Sequence, residues 1–319
     1  MSDEFTLVTG AAGFIGSKVT ERLLERGVKV IALDCFLPNL YSAEVKKARW
    51  KNLASKSRAN HLIRLEFDLR TDDFYQLSEF DIDSIINEAA MPGLSSDWSN
   101  FAPYYDCNLS ALNRLLEFSK TKNLRSFIQA STSSVYGKEA VGSESEGLNP
   151  TSPYGVSKLA AEKLLLAYND WFGTPVKILR YFSVYGPSQR PDMAYSKIIS
   201  ALESGSEFTI YGDGNQRRSN TYLDDIVEAT LLADTMAQPR DILNICGDQV
   251  ISLNEAIAIL ENLTKKKLNR KFEIGRTGDQ KDTAGINLKA KQILSWEAKV
   301  SIEKGLELQV DAFVTGINN

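Results

Sequence analysis

A glycine-rich turn near the N-terminus constrains the fold more than any other feature of the sequence. Gly10, Gly13 and Gly16 recur at three-residue spacing, between an apolar run at Phe5–Thr9 and an amphipathic stretch at Phe14–Arg26. Glycine permits a tight turn, lets backbone N–H groups approach a pyrophosphate and lets a helix pack closely on a strand. The N-terminus of the helix adds positive partial charge. The segment therefore predicts a strand–turn–helix unit that binds a dinucleotide.

The end of the next predicted strand indicates which dinucleotide is bound. Val28–Asp34 has the apolar, β-branched character of a strand, and Asp34 lies 18 residues after Gly16. A carboxylate in this place bonds ribose hydroxyls and repels a 2′-phosphate. The sequence therefore favours NAD over NADP as the cofactor.

The alternation of elements along the chain predicts the fold class. The later strand candidates are Leu62–Phe67, Ile82–Ile86, Ser126–Ala130 and Val176–Tyr181, and the helix candidates between them are Tyr104–Thr121 and Pro153–Trp171. Largely apolar strands alternating with helices predict an α/β fold with a Rossmann-type, doubly wound parallel sheet that is covered on both faces.

The pattern changes after Tyr181. A helix at Met193–Glu203, a strand at Phe208–Tyr211, a helix at Leu223–Ala237 and a strand at Asp241–Ile245 are predicted, and the segments from Ser252 onward look shorter and more polar. We expect a Rossmann domain over residues 1–182 and a smaller mixed α/β substrate-binding part over residues 183–319. Some crossover of the chain between the two is expected, with the second part folding over the carboxyl ends of the strands.

Composition excludes several classes of function. Lys and Arg number 37 against 41 Asp and Glu, so the basic excess of a nucleic-acid-binding protein is missing. The only histidine is His61, and three distant cysteines form neither a disulfide framework nor a metal-type pair. We therefore expect no metal, and acid–base chemistry must use Tyr, Lys, Asp, Glu or hydroxyl groups. The acidic N-terminus and the lack of a long apolar run predict a cytoplasmic protein that does not enter membranes.

Tyr154 and Lys158 are the candidate acid–base pair. They lie four residues apart on a predicted helix and so share a face. A nearby ammonium favours the phenolate, which predicts a lowered pKa for Tyr154. Upstream, the hydroxyl-rich run Ser131–Gly137 follows a strand and should reach the same cleft. Taken alone, the pair also fits a surface helix and the run a serine-rich turn.

Taken together, these features resemble the extended short-chain dehydrogenases/reductases, in particular the nucleotide-sugar epimerase and dehydratase family. The resemblance spans Thr9 to about Leu306 and is closest to the UDP-glucuronate 4-epimerases. The segments that carry it are Ala89–Gly93, Ser131–Gly137, Arg180–Pro187 and Gln189–Ala194.

The resemblance implies a role for each matching position. Tyr154 matches the catalytic base, Lys158 the residue that bonds the nicotinamide ribose, and Thr132 the hydroxyl that assists proton transfer. The positions implied to bind NAD are Gly10, Ala12, Gly13, Phe14, Ile15, Gly16, Asp34, Asp68, Leu69, Ala89, Ala90, Asn108, Tyr154, Lys158, Tyr181 and Ser183. The candidates for binding the substrate are Ser133, Ser134, Ser183, Tyr195, Tyr211, Arg218, Arg276 and Asp279, although the two tyrosines fit the core equally well.

The implied activity is NAD-dependent epimerisation at C4 of a UDP-sugar through a 4-keto intermediate, in a homodimer. UDP-glucuronate is the leading candidate for the substrate. A UDP-hexose or UDP-N-acetylhexosamine is an alternative, because Ser95 and Ser188 stand where related chains have arginines. Alternatives are a nucleotide-sugar 4,6-dehydratase or decarboxylase and, from another class, a catalytically silent NAD-binding regulatory protein. Ser133 and Ser134 favour epimerisation, because family dehydratases carry Asp-Glu there. Glu88 stands where the family usually has leucine.

Overall fold

The computed structural model describes residues 4–38, 41–56, 61–93, 98–275 and 280–316. The strands are β1 (Phe5–Thr9), β2 (Val30–Asp34), β3 (Leu62–Glu66), β4 (Ile82–Asn87), β5 (Ser126–Thr132), β6 (Glu139–Gly142), β7 (Val176–Tyr181), β8 (Val184–Tyr185), β9 (Glu207–Tyr211), β10 (Arg217–Ser219), β11 (Thr221–Tyr222), β12 (Ile242–Ile245), β13 (Val250–Ser252), β14 (Asn269–Glu273) and β15 (Asp282–Gly285). The helices are α1 (Phe14–Glu25), α2 (Ala43–Lys56), α3 (Ala102–Tyr105), α4 (Ala111–Ser119), α5 (Pro153–Phe172), α6 (Ala194–Ser204), α7 (Leu223–Met236), α8 (Leu253–Thr264), α9 (Leu288–Leu294) and α10 (Ile302–Val314).

A seven-stranded sheet forms the centre of the molecule. Its order is β12-β7-β5-β4-β1-β2-β3, and every neighbouring pair is parallel. The chain therefore winds outward from β1 in both directions, and the order reverses between β1 and β4. In open α/β sheets ligands bind in the crevice outside the carboxyl ends of the strands at such a point. The predicted fold class is confirmed.

Helices cover both faces of this sheet. On one face, Val19 and Leu23 of α1 pack with Ile226 of α7 over buried side chains of the sheet. On the other, Leu115 of α4 and Leu165 of α5 are fully buried. Burial on two sides explains why the strands are almost continuously apolar.

The predicted helix over Tyr104–Thr121 is interrupted. It consists of α3, a π-helical turn at Asp106–Ser110, and α4. Such turns concentrate at functional sites, and this one contains the buried Asn108. By contrast, the predicted helix after Ser152 is continuous. The Ser152 hydroxyl caps it by accepting from the Gly155 N–H, and Gly173 ends it in a left-handed conformation.

The smaller part contains more regular structure than its polar sequence predicts. Segments after Ser252 include α8 and α10, which are 12 and 13 residues long. Together with α6 they enclose a separate hydrophobic core. Strand β12 pairs with β7 at the edge of the large sheet. Among the described helices, none is long and apolar enough to cross a membrane.

Candidate active site

The glycine turn forms a cradle at the carboxyl end of β1. Gly10 has φ +64°, and a Cβ there would lie 2.8 Å from the backbone nitrogen of Ala89. A Cβ on Gly13 would lie 2.9 Å from the Gly10 carbonyl oxygen, and one on Gly16 would collide with the same oxygen. Only glycine therefore allows this turn to approach both β4 and its own helix. Phe14 and Ile15 open α1, whose first N–H groups face the turn.

Asp34 is buried beside this cradle. Its Oδ2 accepts from the Ala12 N–H at 3.0 Å, and its Oδ1 accepts from the Phe36 N–H at 2.8 Å. Each carboxylate oxygen keeps a lone pair for a further donor, such as a ribose hydroxyl. The glycine cradle and this fixed carboxylate fit the pyrophosphate and ribose of NAD.

Asp68 and Leu69 follow β3 on the same side of the crevice. The guanidinium of Arg70 donates to both carboxylate oxygens of Asp68, which holds the pKa of that carboxyl below its usual value. Leu69 is buried, and its carbonyl oxygen accepts from Arg114 at 2.6 Å. Both residues are thus held in place by neighbouring side chains, at the positions that the resemblance assigns to the adenine.

Ala89, Ala90 and Asn108 lie at the carboxyl end of β4. The Ala89 N–H donates to the Thr9 hydroxyl at 3.2 Å. Asn108 accepts from the Met91 N–H at 2.7 Å and donates to the Ser157 hydroxyl at 2.9 Å. Asn108 therefore ties the segment after β4 to α5.

Thr132, Tyr154 and Lys158 converge next to that segment. Thr132 ends β5, Tyr154 lies in the first turn of α5, and the Thr132 hydroxyl is near enough to the Tyr154 phenol to lower its pKa. Lys158 follows one turn later and is 3% exposed. Tyr181, at the end of the adjoining strand β7, directs its hydroxyl toward Glu88. The structure thus brings the predicted catalytic residues into one cleft.

The acid–base properties of the pair differ from the sequence prediction. Burial raises the pKa of Tyr154 to about 12, and the largest opposing contributions come from Arg190 and the Thr132 hydrogen bond, not from Lys158. Burial lowers the pKa of Lys158 to about 8, against the attraction of Glu88 and Glu162. The predicted lowering of the tyrosine pKa by its lysine neighbour is therefore wrong, because burial outweighs the nearby charges.

Arg190 is the functional candidate that the sequence analysis missed. It lies in the turn between β8 and α6 and forms a two-point ion pair with Asp192, at 3.0 and 2.8 Å. The same turn is held by Arg49 of α2, which donates to the Ser188 carbonyl oxygen at 2.6 Å. Arg190 lies within the segment Gln189–Ala194 that carried the resemblance, but only the folded chain brings its charge to Tyr154.

Four of the candidate substrate residues lie in two regions. Ser133 and Ser134 are buried in a 3₁₀ turn directly after Thr132, and Ser183 is half-buried after β7. Tyr211 lines a cavity of about 710 Å³, and Arg49 and Gln216 are also part of its wall.

Two other substrate candidates already form hydrogen bonds with residues of the protein. Tyr195 lies in the core of the smaller part and donates to Asn220 at 2.8 Å. Arg218 donates to the Gln280 carbonyl oxygen at 2.5 Å. Arg276, Asp279 and Ser95 lie outside the described residues. Within the described ranges, no group of three or more His, Cys, Asp and Glu side chains is arranged to hold a metal ion.

Comparison with known proteins gives consistent matches. The model of the NAD dependent epimerase/dehydratase family matches residues 6–246. A Bacillus subtilis (strain 168) protein named as an uncharacterized UDP-glucose epimerase is 39% identical over 95% of this chain and 96% of its own length. A UDP-glucuronate 4-epimerase of Thermodesulfobacterium geofontis is 33% identical over 96% of this chain and 95% of its own length.

A solved structure agrees in fold over nearly the whole chain. The UDP-glucuronic acid 4-epimerase of Bacillus cereus, in complex with UDP-glucuronic acid and NAD, superimposes with a TM-score of 0.92 at 36% identity. The match covers 98% of this chain and 99% of that one.

Proposed function

The chain belongs to the NAD dependent epimerase/dehydratase family, and from this premise we propose that it epimerises C4 of a UDP-sugar, with UDP-glucuronate as the substrate. The observation that carries the proposal is the placement of Thr132 at the end of β5 and of Tyr154 and the buried Lys158 one turn apart at the start of α5, where Arg190 and Thr132 both lower the pKa of the Tyr154 phenol.

The roles of the residues follow from their positions. Tyr154 takes the proton of the sugar 4-OH and returns it, Thr132 holds the phenol and the 4-OH in line, and Lys158 bonds the ribose of the cofactor. When bound, NAD supplies the acceptor for the C4 hydride and its donor in the reverse direction. Rotation of the keto-sugar within the cleft presents its other face, so return of the proton and hydride gives the C4 epimer.

Arg190 favours a uronate among the possible sugars. C4 and C5 are adjacent, so a carboxylate on C5 lies close to the hydroxyl that Tyr154 deprotonates. An unpaired carboxylate in such a cleft is costly, whereas a guanidinium offers charged hydrogen bonds. Ser133 and Ser134, buried directly after Thr132, offer further hydroxyl donors.

A neutral UDP-hexose is the second candidate. It is supported by the name of the Bacillus subtilis relative, which is 39% identical, and by Ser188 in place of an arginine. A dehydratase or decarboxylase is less well supported, because Ser133 and Ser134 follow Thr132 where an acid is needed. A silent NAD-binding protein would not require Thr132, Tyr154 and Lys158 together.

The test is a panel of UDP-glucuronate, UDP-glucose and UDP-N-acetylglucosamine, with products identified by NMR and kcat/KM measured for each. We expect conversion of UDP-glucuronate to its C4 epimer with the highest kcat/KM. Preference for a neutral sugar by more than about tenfold, ~1.4 kcal/mol in transition-state binding, would refute the uronate assignment. A 4-keto-6-deoxy sugar or CO₂ as the main product would refute epimerisation.

We also propose that residues 1–182 hold the cofactor and residues 183–319 the nucleotide sugar, with β12 of the second part crossing to the large sheet. A homodimer is supported by the exposed aromatic side chains at the end of α5, Trp171 and Phe172, which are 83% and 56% exposed. A cytoplasmic location is supported by the three free thiols, Cys35, Cys107 and Cys246. Light scattering of the purified protein tests the dimer.

A further inference from the structure

A buried ion pair joins the helix that carries Tyr154 to the two strands beside it. The side chains of Glu162 on α5 and Arg180 on β7 are each 2% exposed, and they form a two-point pair with N–O distances of 3.0 and 2.8 Å. The Ser131 hydroxyl of β5 donates to the same carboxylate at 2.5 Å. Ser131 and Arg180 are partners in the parallel pairing of β5 with β7. One carboxylate of α5 is therefore bound by both strands.

The arginine extends these contacts to the turn that follows Thr132. Its Nη1 donates to the Tyr136 hydroxyl at 2.8 Å, and that hydroxyl donates to the side-chain oxygen of Asn244 on β12, also at 2.8 Å. Tyr136 ends the 3₁₀ turn that begins directly after Thr132. The buried charges are thus hydrogen-bonded across α5, β5, β7, β12 and this turn.

The ion pair lies close along the helix to the candidate catalytic residues. Glu162 follows Lys158 by one helical turn and Tyr154 by two. At the start of α5, a Cβ on Gly155 would lie 2.6 Å from the Ser134 carbonyl oxygen, so the first turn of the helix lies directly against the 3₁₀ turn. Backbone hydrogen bonds keep so short a helical stretch rigid. The part of α5 that carries Tyr154 and Lys158 is therefore held at both of its ends.

Stability alone is a weak reason for a buried ion pair at this place. Taking two charges out of water is costly, and apolar side chains of similar size often stabilise a fold equally well. A two-point pair is directional, however, because both donors must meet the carboxylate in one geometry. It therefore fixes the distance and rotation of α5 relative to the strands. Since Ser131 directly precedes Thr132, the hydroxyl bond to Glu162 ties the position of the helix to the end of β5.

We propose that Ser131 and Glu162 are positioning residues that, with Arg180, hold the Tyr154 phenol in line with the Thr132 hydroxyl. The inference rests on the proposed function, because the alignment serves transfer of the proton from the sugar 4-OH. Such a transfer requires heavy-atom distances of ~2.6–3.2 Å, and a misplacement of ~1 Å can slow a reaction by about 10²-fold. Releasing β5 from the carboxylate should therefore slow the chemical step and leave the binding of sugar and cofactor intact.

The experiment replaces Ser131 with alanine, which leaves the Glu162–Arg180 pair in place. Glu162→Gln is less suitable, because it would leave the Arg180 charge buried without its partner and is expected to impair folding. In Ser131→Ala we expect kcat for the preferred sugar of the UDP-sugar panel to fall by about tenfold or more. KM for the sugar and Kd for NAD should stay close to their wild-type values.

Ser126→Ala is the matched control. Ser126 begins the same strand and is fully buried, and its hydroxyl has no hydrogen-bond partner among the described residues. Its removal should leave kcat unchanged. A lower Tm of Ser131→Ala with an unchanged kcat would overturn the positioning role, and so would an equal loss of kcat in the two variants. A rise in KM or in the Kd for NAD in place of the fall in kcat would also overturn it.

A second readout does not require the sugar. In crystal structures of the NAD complexes, the distance from the Thr132 hydroxyl to the Tyr154 phenol should be about 0.5 Å or more longer in Ser131→Ala than in the wild type, and unchanged in Ser126→Ala. An unchanged distance in Ser131→Ala would overturn the inference. Failure of the wild type to convert any sugar of the panel would instead overturn the proposed function, and the two structures would then decide the positioning role.

Discussion

Replacing Arg190 with glutamine tests how the cleft selects its substrate. The guanidinium is 15% exposed and already oriented by Asp192, so it can bind a carboxylate without a large ordering cost. Hydrogen bonds to charged groups contribute ~1.5–3 kcal/mol, which corresponds to about a 10- to 150-fold loss of kcat/KM for UDP-glucuronate. Asp192, left without its partner, would add repulsion toward the uronate.

The comparison with a neutral sugar separates recognition from catalysis. Arg190 also lowers the pKa of Tyr154, so its removal slows turnover of every substrate by the same factor. We therefore expect the ratio of kcat/KM for UDP-glucuronate to that for UDP-glucose to fall about 10-fold or more. Arg217→Gln, the loss of an exposed cation on β10, serves as the matched control. An unchanged ratio would refute carboxylate recognition by Arg190.

Three further predictions concern the cofactor and the chemistry. Tyr154→Phe should reduce turnover by ~10²–10⁴-fold while NAD remains bound, as measured by steady-state kinetics and cofactor titration; near-normal turnover would remove Tyr154 from the mechanism. Asp34→Ala should narrow the preference for NAD over NADP and weaken NAD binding, because the Ala12 N–H also loses the carboxylate that accepts its hydrogen bond. Calorimetric titration with both cofactors measures the two affinities, and tighter binding of NADP than of NAD by the wild type would contradict the role of Asp34. Gly16→Ala should abolish NAD binding and lower Tm, because the new methyl group collides with the Gly10 carbonyl oxygen. Gly147→Ala is the control, because a Cβ there meets nothing within 4 Å. Equal Tm values for the two variants would contradict the close approach of the turn to α1.

The parts of the fold that sequence predicted well are those with strong local signals. The glycine turn requires a strand before it and a helix after it, and the apolar runs of β1 and β7 have the same bounds in the structure as in the prediction. The missed strands, such as β6 and β13, are two to five residues long. Their pairing depends on tertiary contacts, which a single sequence does not display. The sequence does carry a signal for the start of helix α8, because Ser252 and Glu255 form a capping box.

The candidate site was predictable to the extent that its residues lie near recognisable motifs. Thr132, Tyr154 and Lys158 were found from their spacing and resemblance. The raised pKa of Tyr154 could not be predicted from sequence, because it results from burial by residues that lie far apart in the chain. Arg190 and Glu88 reach the pair from separate segments of the chain, and their electrostatic effect required the folded arrangement.

The return of β12 to the large sheet has a consequence for how this protein is made and engineered. Until the ribosome has released residues 242–245, β7 is an edge strand whose outer N–H and C=O groups have no strand beside them. The seven-stranded sheet therefore cannot be completed during synthesis before residues 183–245 have emerged. A fragment cut at residue 182 would retain this open edge and be prone to aggregation. A fragment in which α7 and β12 are joined to residue 182 by a short linker would cover the edge.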